Sequence, residues 1–362
     1  VSSTGVKTLA LFLSCLVDAF ERRKVVIADI PGAFLSADWP ADAPDCWIRF
    51  EGAMVNMICK IKPEYRKLIR KTTTRNGHER RVLVGKVTKA IYGTLLGAVL
   101  FYNKLKGVLT KMGFEMNAYD ECTFNKMING YQCTIQFHVD DLKLSHLQQG
   151  ELDKIIDELN VIFGSEGELL AASYGSIHEY LGMTIDWSLD GKVIFTMYDY
   201  LEDILVEAPD EFDGEDVTPA NSQLFLVDES SESLDASTAD DFHRFVARFL
   251  YVAKRARPDL QVAVSFLCKR VKAPNVGDWK KLRRLVRYVR ATIHLPLILG
   301  ADGTGNMVWS IDASFAVHMD MKSHTGYCLT LGTGSPISGS QSQKVTTRSS
   351  TESELVGVDD VI

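Results

Sequence analysis

Thr134-Ile135-Gln136-Phe137-His138-Val139-Asp140-Asp141-Leu142-Lys143-Leu144-Ser145 is the stretch whose reading decides the fold, because two short apolar alternations meet there at a pair of adjacent aspartates. Ile135, Phe137 and Val139 fall on one face at period two, and Leu142 and Leu144 resume the alternation after the acidic pair, which predicts a β-hairpin. Aspartate tolerates tight-turn backbone angles, so Asp140 and Asp141 are expected at the tip, where solvent and a ligand reach them. Taken alone, an Asp-Asp pair between two strands reads equally well as a plain turn.

A second stretch shifts the balance. Val25-Val26-Ile27-Ala28-Asp29-Ile30-Pro31-Gly32-Ala33-Phe34-Leu35 begins as a buried-type strand, rich in β-branched residues, and delivers Asp29 to its end just before a Pro-Gly turn. If that strand lies beside the hairpin, three carboxylates converge, and a divalent cation relieves their repulsion. Mg²⁺ is held by one or two carboxylates plus substrate phosphates, so aspartates at strand ends without His or Cys make the ligand set of phosphoryl transfer and not of a zinc site. Two such ions, about 3.5 to 4 Å apart, suit activation of a primer hydroxyl and stabilisation of departing pyrophosphate, with Mn²⁺ as the alternative metal. Phe34 lies just beyond the turn, where its ring either packs under an incoming sugar or serves as a core phenylalanine.

The chain has 362 residues, 46% of them hydrophobic and 24% charged, room for two or three small domains. No apolar run reaches the length of a membrane span, and the seven cysteines form no C-x-x-C pair, so an intracellular protein with reduced thiols is expected. The net charge of -7 conceals a split: Val193 to Phe242 carries no Lys or Arg, and the remainder is basic. Both ends look cut, as in a piece of a larger polypeptide.

Taken in order, residues 1–24 read as a helix ahead of the Asp29 strand. Arg70 to Arg81 reads as a projecting basic hairpin around Asn76-Gly77. A helix is expected from Ala90 to Met112, stopped by Gly113, and another from Leu152 to Phe163. Tyr180 to Trp187 and Lys192 to Thr196 read as two strands around Leu189-Asp190-Gly191, and Asp199 to Glu207 as a helix before an acidic, Ser-rich linker. In the helix Asp278 to Ala291 the stripe Leu282, Leu285, Val286, Val289 is buried, leaving Lys280, Arg283, Arg284, Arg287 and Arg290 for a nucleic-acid backbone. A strand from Met307 to Ile311 ends in Asp312, and Ser349 with Glu352 forms a capping box that starts a helix carrying Glu354.

Six motifs in this order, Asp29-x-x-x-Ala33-Phe34, Ala90-Ile91-Tyr92-Gly93, Val139-Asp140-Asp141, Tyr180-Leu181-Gly182, Arg257-Pro258-Asp259 and Ser349 to Glu354, resemble the reverse transcriptase and ribonuclease H portion of Ty1/copia-type retrotransposon polyproteins. The resemblance implies an α+β fold: a right-hand polymerase palm, an antiparallel sheet with packed helices, over 1–206 with partial fingers and the start of the thumb. An acidic linker (207–241), a basic helical thumb or connection (242–300) and a truncated ribonuclease H-like α/β domain (301–362) would follow. It further implies Asp29, Asp140 and Asp141 as metal-binding catalytic carboxylates, Phe34 as the sugar-sensing gate, Leu181 and Gly182 in the primer grip, and Asp312 and Glu354 as vestigial ribonuclease H carboxylates. The tyrosine usual two residues before the first hairpin Asp is His138 here, a ring that can pack on the primer. After Tyr92-Gly93, Leu95-Leu96 and Ala98-Val99 replace the family's Lys-Gln and Pro-Arg. Ribonuclease H activity is not expected, since Asp359 and Asp360 share the helix of Glu354 and cannot supply the further aspartates needed. The implied partners are an RNA or DNA template with its primer and deoxynucleoside triphosphates, without a membrane. The implied location is the cytoplasm, in a virus-like particle, with the nucleus as a second compartment. The competing expectation is a degenerate remnant that binds nucleic acid without polymerising.

Overall fold

The computed structural model describes residues 5–73, 79–164 and 168–362. Helix α1 (Thr8–Phe20) leads into strand β1 (Lys24–Asp29), whose four central residues are buried. Strand β2 (Trp47–Glu51), helix α2 (Ala53–Ile61) and strands β3 (Arg70–Thr73) and β4 (Glu79–Lys86) follow as a small module with its own core of Val55, Cys59 and Leu83. The arms of the expected basic hairpin do pair, Thr73 opposite Glu79, while its Asn76-Gly77 tip lies outside the described residues. Helix α3 (Leu95–Lys111) starts later than its apolar pattern suggests, because the Thr94 hydroxyl accepts from the Gly97 amide and fixes the N-terminus there.

Strands β5 (Glu115–Met116), β6 (Thr123–Ile128), β7 (Tyr131–His138) and β8 (Asp141–His146) precede helix α4 (Gln149–Phe163) and strand β9 (Ala171–Gly175). They join β1 in a six-stranded antiparallel sheet of order β5-β6-β7-β8-β1-β9. One face carries Ile135, Phe137, Leu142 and Leu144, with the Tyr102 ring of α3 tilted against Phe137 at 5.9 Å. The opposite face meets α1 through buried polar groups: the Lys143 ammonium pairs with Asp18, and the Gln136 amide donates to the Ala10 carbonyl.

A second antiparallel sheet is built from β10 (Ile177–Tyr180), β11 (Met183–Asp186), β12 (Lys192–Thr196), β13 (Leu297–Ala301) and β16 (Gly332–Thr333). It packs on the other side of α1, where Phe12 and Phe195 lie 4.7 Å apart, so α1 is enclosed between two sheets and its run of Leu, Ala and Phe is explained. This sheet draws strands from both sides of the boundary expected at 300/301. The stretch from Tyr180 to Trp187 is not one strand: Leu181 and Gly182, both at positive φ, turn the chain back between β10 and β11. The pairing of β11 with β12 agrees with the expected hairpin.

Between α5 (Tyr198–Val206) and α6 (Ala236–Ala253) the acidic segment does not run free as the expected linker. It lies as a strap along α8 (Val276–Ala291), with the ring of fully buried Phe212 tilted against Trp279 at 4.7 Å and the Asp216 carboxylate 3.3 Å from Arg284. Composition alone suggests disorder for such a stretch; a few apolar plugs and a basic docking face reverse that outcome. Helix α7 (Gln261–Arg270) precedes α8, whose start is fixed by a reciprocal Asn275/Asp278 capping box.

The segment 301–362 also holds β14 (Val308–Ser314), β15 (His324–Thr330) and β17 (Ile337–Ser342) in an antiparallel sheet, followed by α9 (Ser350–Val361). Asp312 is thus interior to β14 and not at a strand end. The expected capping box is half formed: Ser349 accepts from the Glu352 amide, but the Glu352 carboxylate takes the Arg348 amide in place of that of Ser349. The molecule is α+β with all described sheet pairings antiparallel, as expected at that coarse level.

Candidate active site

The main-chain register brings the first two carboxylates together. β1 pairs antiparallel with β8 so that Asp29 faces Asp141 directly, and the next step is a main-chain bond of 3.2 Å from the Ile30 amide to the Asp140 carbonyl. In an antiparallel ladder the residues beside such a bonded pair form a non-hydrogen-bonded pair, with Cα atoms about 4.5 Å apart and side chains on one face. Asp140 completes the group from the turn. That turn is Val139-Asp140, one residue earlier than the sequence suggested, with Asp141 already paired to His138. Val139 has φ 62° and Asp140 is not at positive φ, the sign pattern of a type II′ turn in which glycine is the usual first central residue. A β-branched residue held there is strained, and such strain persists where surrounding structure demands it.

Electrostatics agree with this closeness. The Asp29 carboxyl titrates above the ordinary range because of partial desolvation and then the neighbouring Asp140 charge. Asp141 is raised by desolvation first, then by Asp140 and Asp29, with His138 acting in the opposite sense. Among the described residues no three His, Cys, Asp or Glu side chains converge, as they stand, into a ready metal cage. Mg²⁺ does not need one, since one or two protein carboxylates suffice when substrate phosphates complete its shell. An opposed pair of mutually repelling aspartates with a third beside it fits that ion by charge and ligand type.

The remaining candidates are more dispersed. Phe34 is only 9% exposed and packs edge-on to Tyr92 at 5.4 Å and against Phe101 at 5.8 Å, so most of its ring belongs to the core and its rim faces the exposed Tyr92. His138 is exposed beside Asp141 and lies so close over Gly5 that any Cβ there would collide with its ring. Leu181 and Gly182 form the β10–β11 turn, pinned by a 3.0 Å bond from the Tyr251 hydroxyl to the Leu181 carbonyl; a Cβ on Gly182 would come within 2.7 Å of that hydroxyl. The hairpin is tied to the site by buried Tyr180, whose hydroxyl donates to the Asp141 carbonyl at 3.3 Å.

On α8 the expected basic row is divided. The strap takes Arg284 and Arg290, the latter through the Phe212 carbonyl and Asp213, whereas Lys280, Arg283 and Arg287 form no ion pair among the described residues. Asp312 and Glu354 are not presented to one another by a shared face. Ala313 is the β14 residue nearest Gly357 of α9, and the burial alternation puts exposed Asp312 on the opposite face of the strand.

Sequence reasoning quoted Tyr180 within a motif without giving it a role, and missed Tyr251 and a buried polar cluster. Asp18 and Lys143 are both fully buried as an ion pair, with Arg23 a further 3.8 Å from the second Asp18 oxygen. A lysine set within a buried strand alternation was the available signal. Arg257, of the Arg-Pro-Asp motif, is 1% exposed and holds Asp259 through two bonds of 2.9 and 2.8 Å while donating to the Thr292 carbonyl. That motif is a clamp joining the α6–α7 junction to the end of α8.

No protein-family model matches the chain. It is similar to a putative transposon Ty5-1 protein of Saccharomyces cerevisiae, 23% identical over 274 residues that make up 75% of this chain and 86% of that protein. The retrovirus-related Pol polyprotein from transposon TNT 1-94 of Nicotiana tabacum is 22% identical over 285 residues, covering 76% of this chain and 21% of the polyprotein. Among solved structures, apo telomerase from Candida tropicalis aligns with 81% of this chain and 47% of its own, at 10% identity and a TM-score of 0.34.

Proposed function

Because the chain belongs to the copia-type retrotransposon proteins, we propose that it carries the RNA-directed DNA polymerase of such an element, extending a primer along an RNA or DNA template. The observation that best supports this reading is the register that sets Asp29 against Asp141 with Asp140 in the adjoining turn. In this reading the six-stranded sheet is the palm, the module of residues 47–86 is fingers-like, and α6 to α8 form the thumb or connection. Residues 301–362 form a ribonuclease H-like module without that activity.

Asp29 and Asp140 would be the principal holders of Mg²⁺, and Asp141 the accessory one. Bound there, the metal would supply Lewis-acid neutralisation of the triphosphate and a more acidic primer hydroxyl. The chain's own part is positioning. The Val139 turn aims Asp140, Tyr180 fixes the Asp141 main chain, and the Leu181-Gly182 turn, braced by Tyr251, lies where it can steady the primer end.

Primer extension by the full chain on RNA and DNA templates, with Mg²⁺ or Mn²⁺, tests the assignment. Asp140→Asn and Asp29→Asn are each expected to lower extension on the order of a hundredfold or more, with the melting temperature unimpaired. Extension that survives both substitutions removes these aspartates from the mechanism. A wild type that binds template yet never extends supports the remnant reading instead.

A further inference from the structure

The strap and α8 do not meet flush. They leave a half-open cleft of about 770 Å³ between them, the size of pockets that take a nucleotide-sized ligand. Five cations and three carboxylates line it, and each carboxylate already has a partner, although the buried Oδ1 of Asp278 accepts no hydrogen bond. Asp216 pairs with Arg284, Asp278 pairs with Arg270 and caps α8, and Asp228 accepts from the amide and hydroxyl of Ser230. Of the cations, Lys281 donates to the Leu226 carbonyl and lies over the Phe266 ring.

Lys280, Arg283 and Arg287 are left over, with Lys280 near enough to Asp228 to add to the Ser230 bonds that hold its carboxyl below the ordinary range. Among the described residues none of the three forms an ion pair, and the Nε of Arg287 is buried without a hydrogen-bond partner. A buried unpartnered guanidinium nitrogen is costly, and the fold tolerates it here with Arg287 itself lining the cavity. Gly214 of the strap, at φ 106°, borders the guanidinium, where a Cβ would make ordinary contact, 3.4 Å from both its Nε and its central carbon.

We propose that this cavity is a binding site for the phosphate of a nucleotide, with Arg283, Arg287 and Lys280 as its anion ligands and the apolar wall at Leu226 and Val227 facing the remainder. The planar guanidinium matches phosphate in a two-point fashion that a lysine cannot. The strap thereby turns an open basic helix into a discrete site. From the preceding reading the proposal takes only the identity of the ligand, a nucleotide. Its source is either a unit of a nucleic-acid strand or a free nucleotide.

The test measures fluorescence anisotropy of a labelled single-stranded oligonucleotide bound to the full chain in EDTA, which silences metal-dependent binding at the aspartates. Arg283→Gln/Arg287→Gln is expected to weaken binding about tenfold or more. It is also expected to flatten the dependence of log affinity on log salt by about 0.7 for each phosphate no longer neutralised. Displacement of the oligonucleotide by dAMP assigns the site to free nucleotides, and resistance to dAMP assigns it to the strand. Equal affinity and equal salt slope in a folded double variant overturn the proposal. Should the variant not fold, hydrogen exchange of the wild type decides. Protection of 214–228 and 280–287 on adding oligonucleotide or dAMP supports the site, and unchanged exchange there rejects it. Loss of primer extension leaves all these readouts intact, so failure of the polymerase reading and failure of this site are told apart.

Discussion

At the scale of single residues, Asp29 and Asp141 are held at a cost to stability. Both titrate above the ordinary aspartate value of 3.8, so the neutral acids stabilise the fold fully below that pH, and the contribution is lost as pH rises through the elevated values. Asp141→Asn is therefore expected to melt higher than wild type at pH 7 in EDTA, with the difference vanishing below pH 3.8. Mg²⁺ should raise the melting temperature of wild type and leave the variant nearly unmoved; an equal response in both would show that the ion binds elsewhere. The Asp18–Lys143 pair makes the opposite case, being fully buried and ion-paired through Asp18 Oδ2, while Asp18 Oδ1 accepts no hydrogen bond. Lys143→Met strands a carboxylate whose nearest remaining cation, Arg23, is 3.8 Å away and already bonded to Glu21 and Thr134, at a cost on the order of 3 to 5 kcal/mol in urea unfolding. Asp18→Leu added to Lys143→Met should recover most of that loss, and a double variant as weak as the single one would refute the pairing as the cause.

At the scale of elements, the C-terminal sheet is joined to α7 and the strap by a chain of side chains. Ser340 Oγ lies 2.6 Å from His324 Nε2, His324 Nδ1 lies 3.0 Å from His318 Nε2, and Lys269 of α7 lies 3.5 Å from the same His318 nitrogen. Phe225 of the strap packs on both imidazoles. Burial, then His318 and Lys269, push His324 down to about 4, and burial with Lys269 lowers His318, against which Asp320 acts and to which Lys322 adds. Rings held neutral stabilise the junction above the ordinary value of 6.5 and lose that contribution as pH falls through about 4. Denaturant unfolding between pH 7 and 4 should show a steeper acid loss for wild type than for His318→Gln/His324→Gln; parallel curves would dismiss the histidines as its source. None of this was legible in the chain, because histidines in a loop and a strand carry no periodicity. What was legible is local: the β-branched run ending in Asp29, the alternation around Asp140-Asp141, and the stripe of α8 with its cap. The Leu181-Gly182 turn was hidden in an apolar run. The docking of the strap depends on Phe212 and Leu224 finding a surface that is distant in sequence. The opposition of Asp29 and Asp141 is likewise a matter of register between remote strands, which two short strands read separately can suggest and cannot fix.

At the scale of the molecule, charge and core are distributed unequally. The acidic block that makes the net charge -7 lies against the most basic helix, so much of the opposition between them is internal. One continuous apolar cluster runs from Val6 to Leu299, binding α1, both larger sheets and α6 to α8 into a unit that carries the candidate aspartates. Residues 47–86 stand apart, with a small cluster of Val55, Cys59 and Leu83 at the centre and Phe50, Ile58, Tyr65 and Ile69 packed around it. So small a core stabilises little beyond its own ordering entropy, and it opens without disturbing the rest. Native-state hydrogen exchange should show the β2–β4 amides exchanging together, well ahead of those of β1, β7 and β8, and with little dependence on mild denaturant. Under the proposed polymerase function, such a division would let the module of residues 47–86 open while the sheet keeps the carboxylates in register. Exchange of β2–β4 at the rate of the central sheet would show the two to be a single cooperative unit and would take away that freedom.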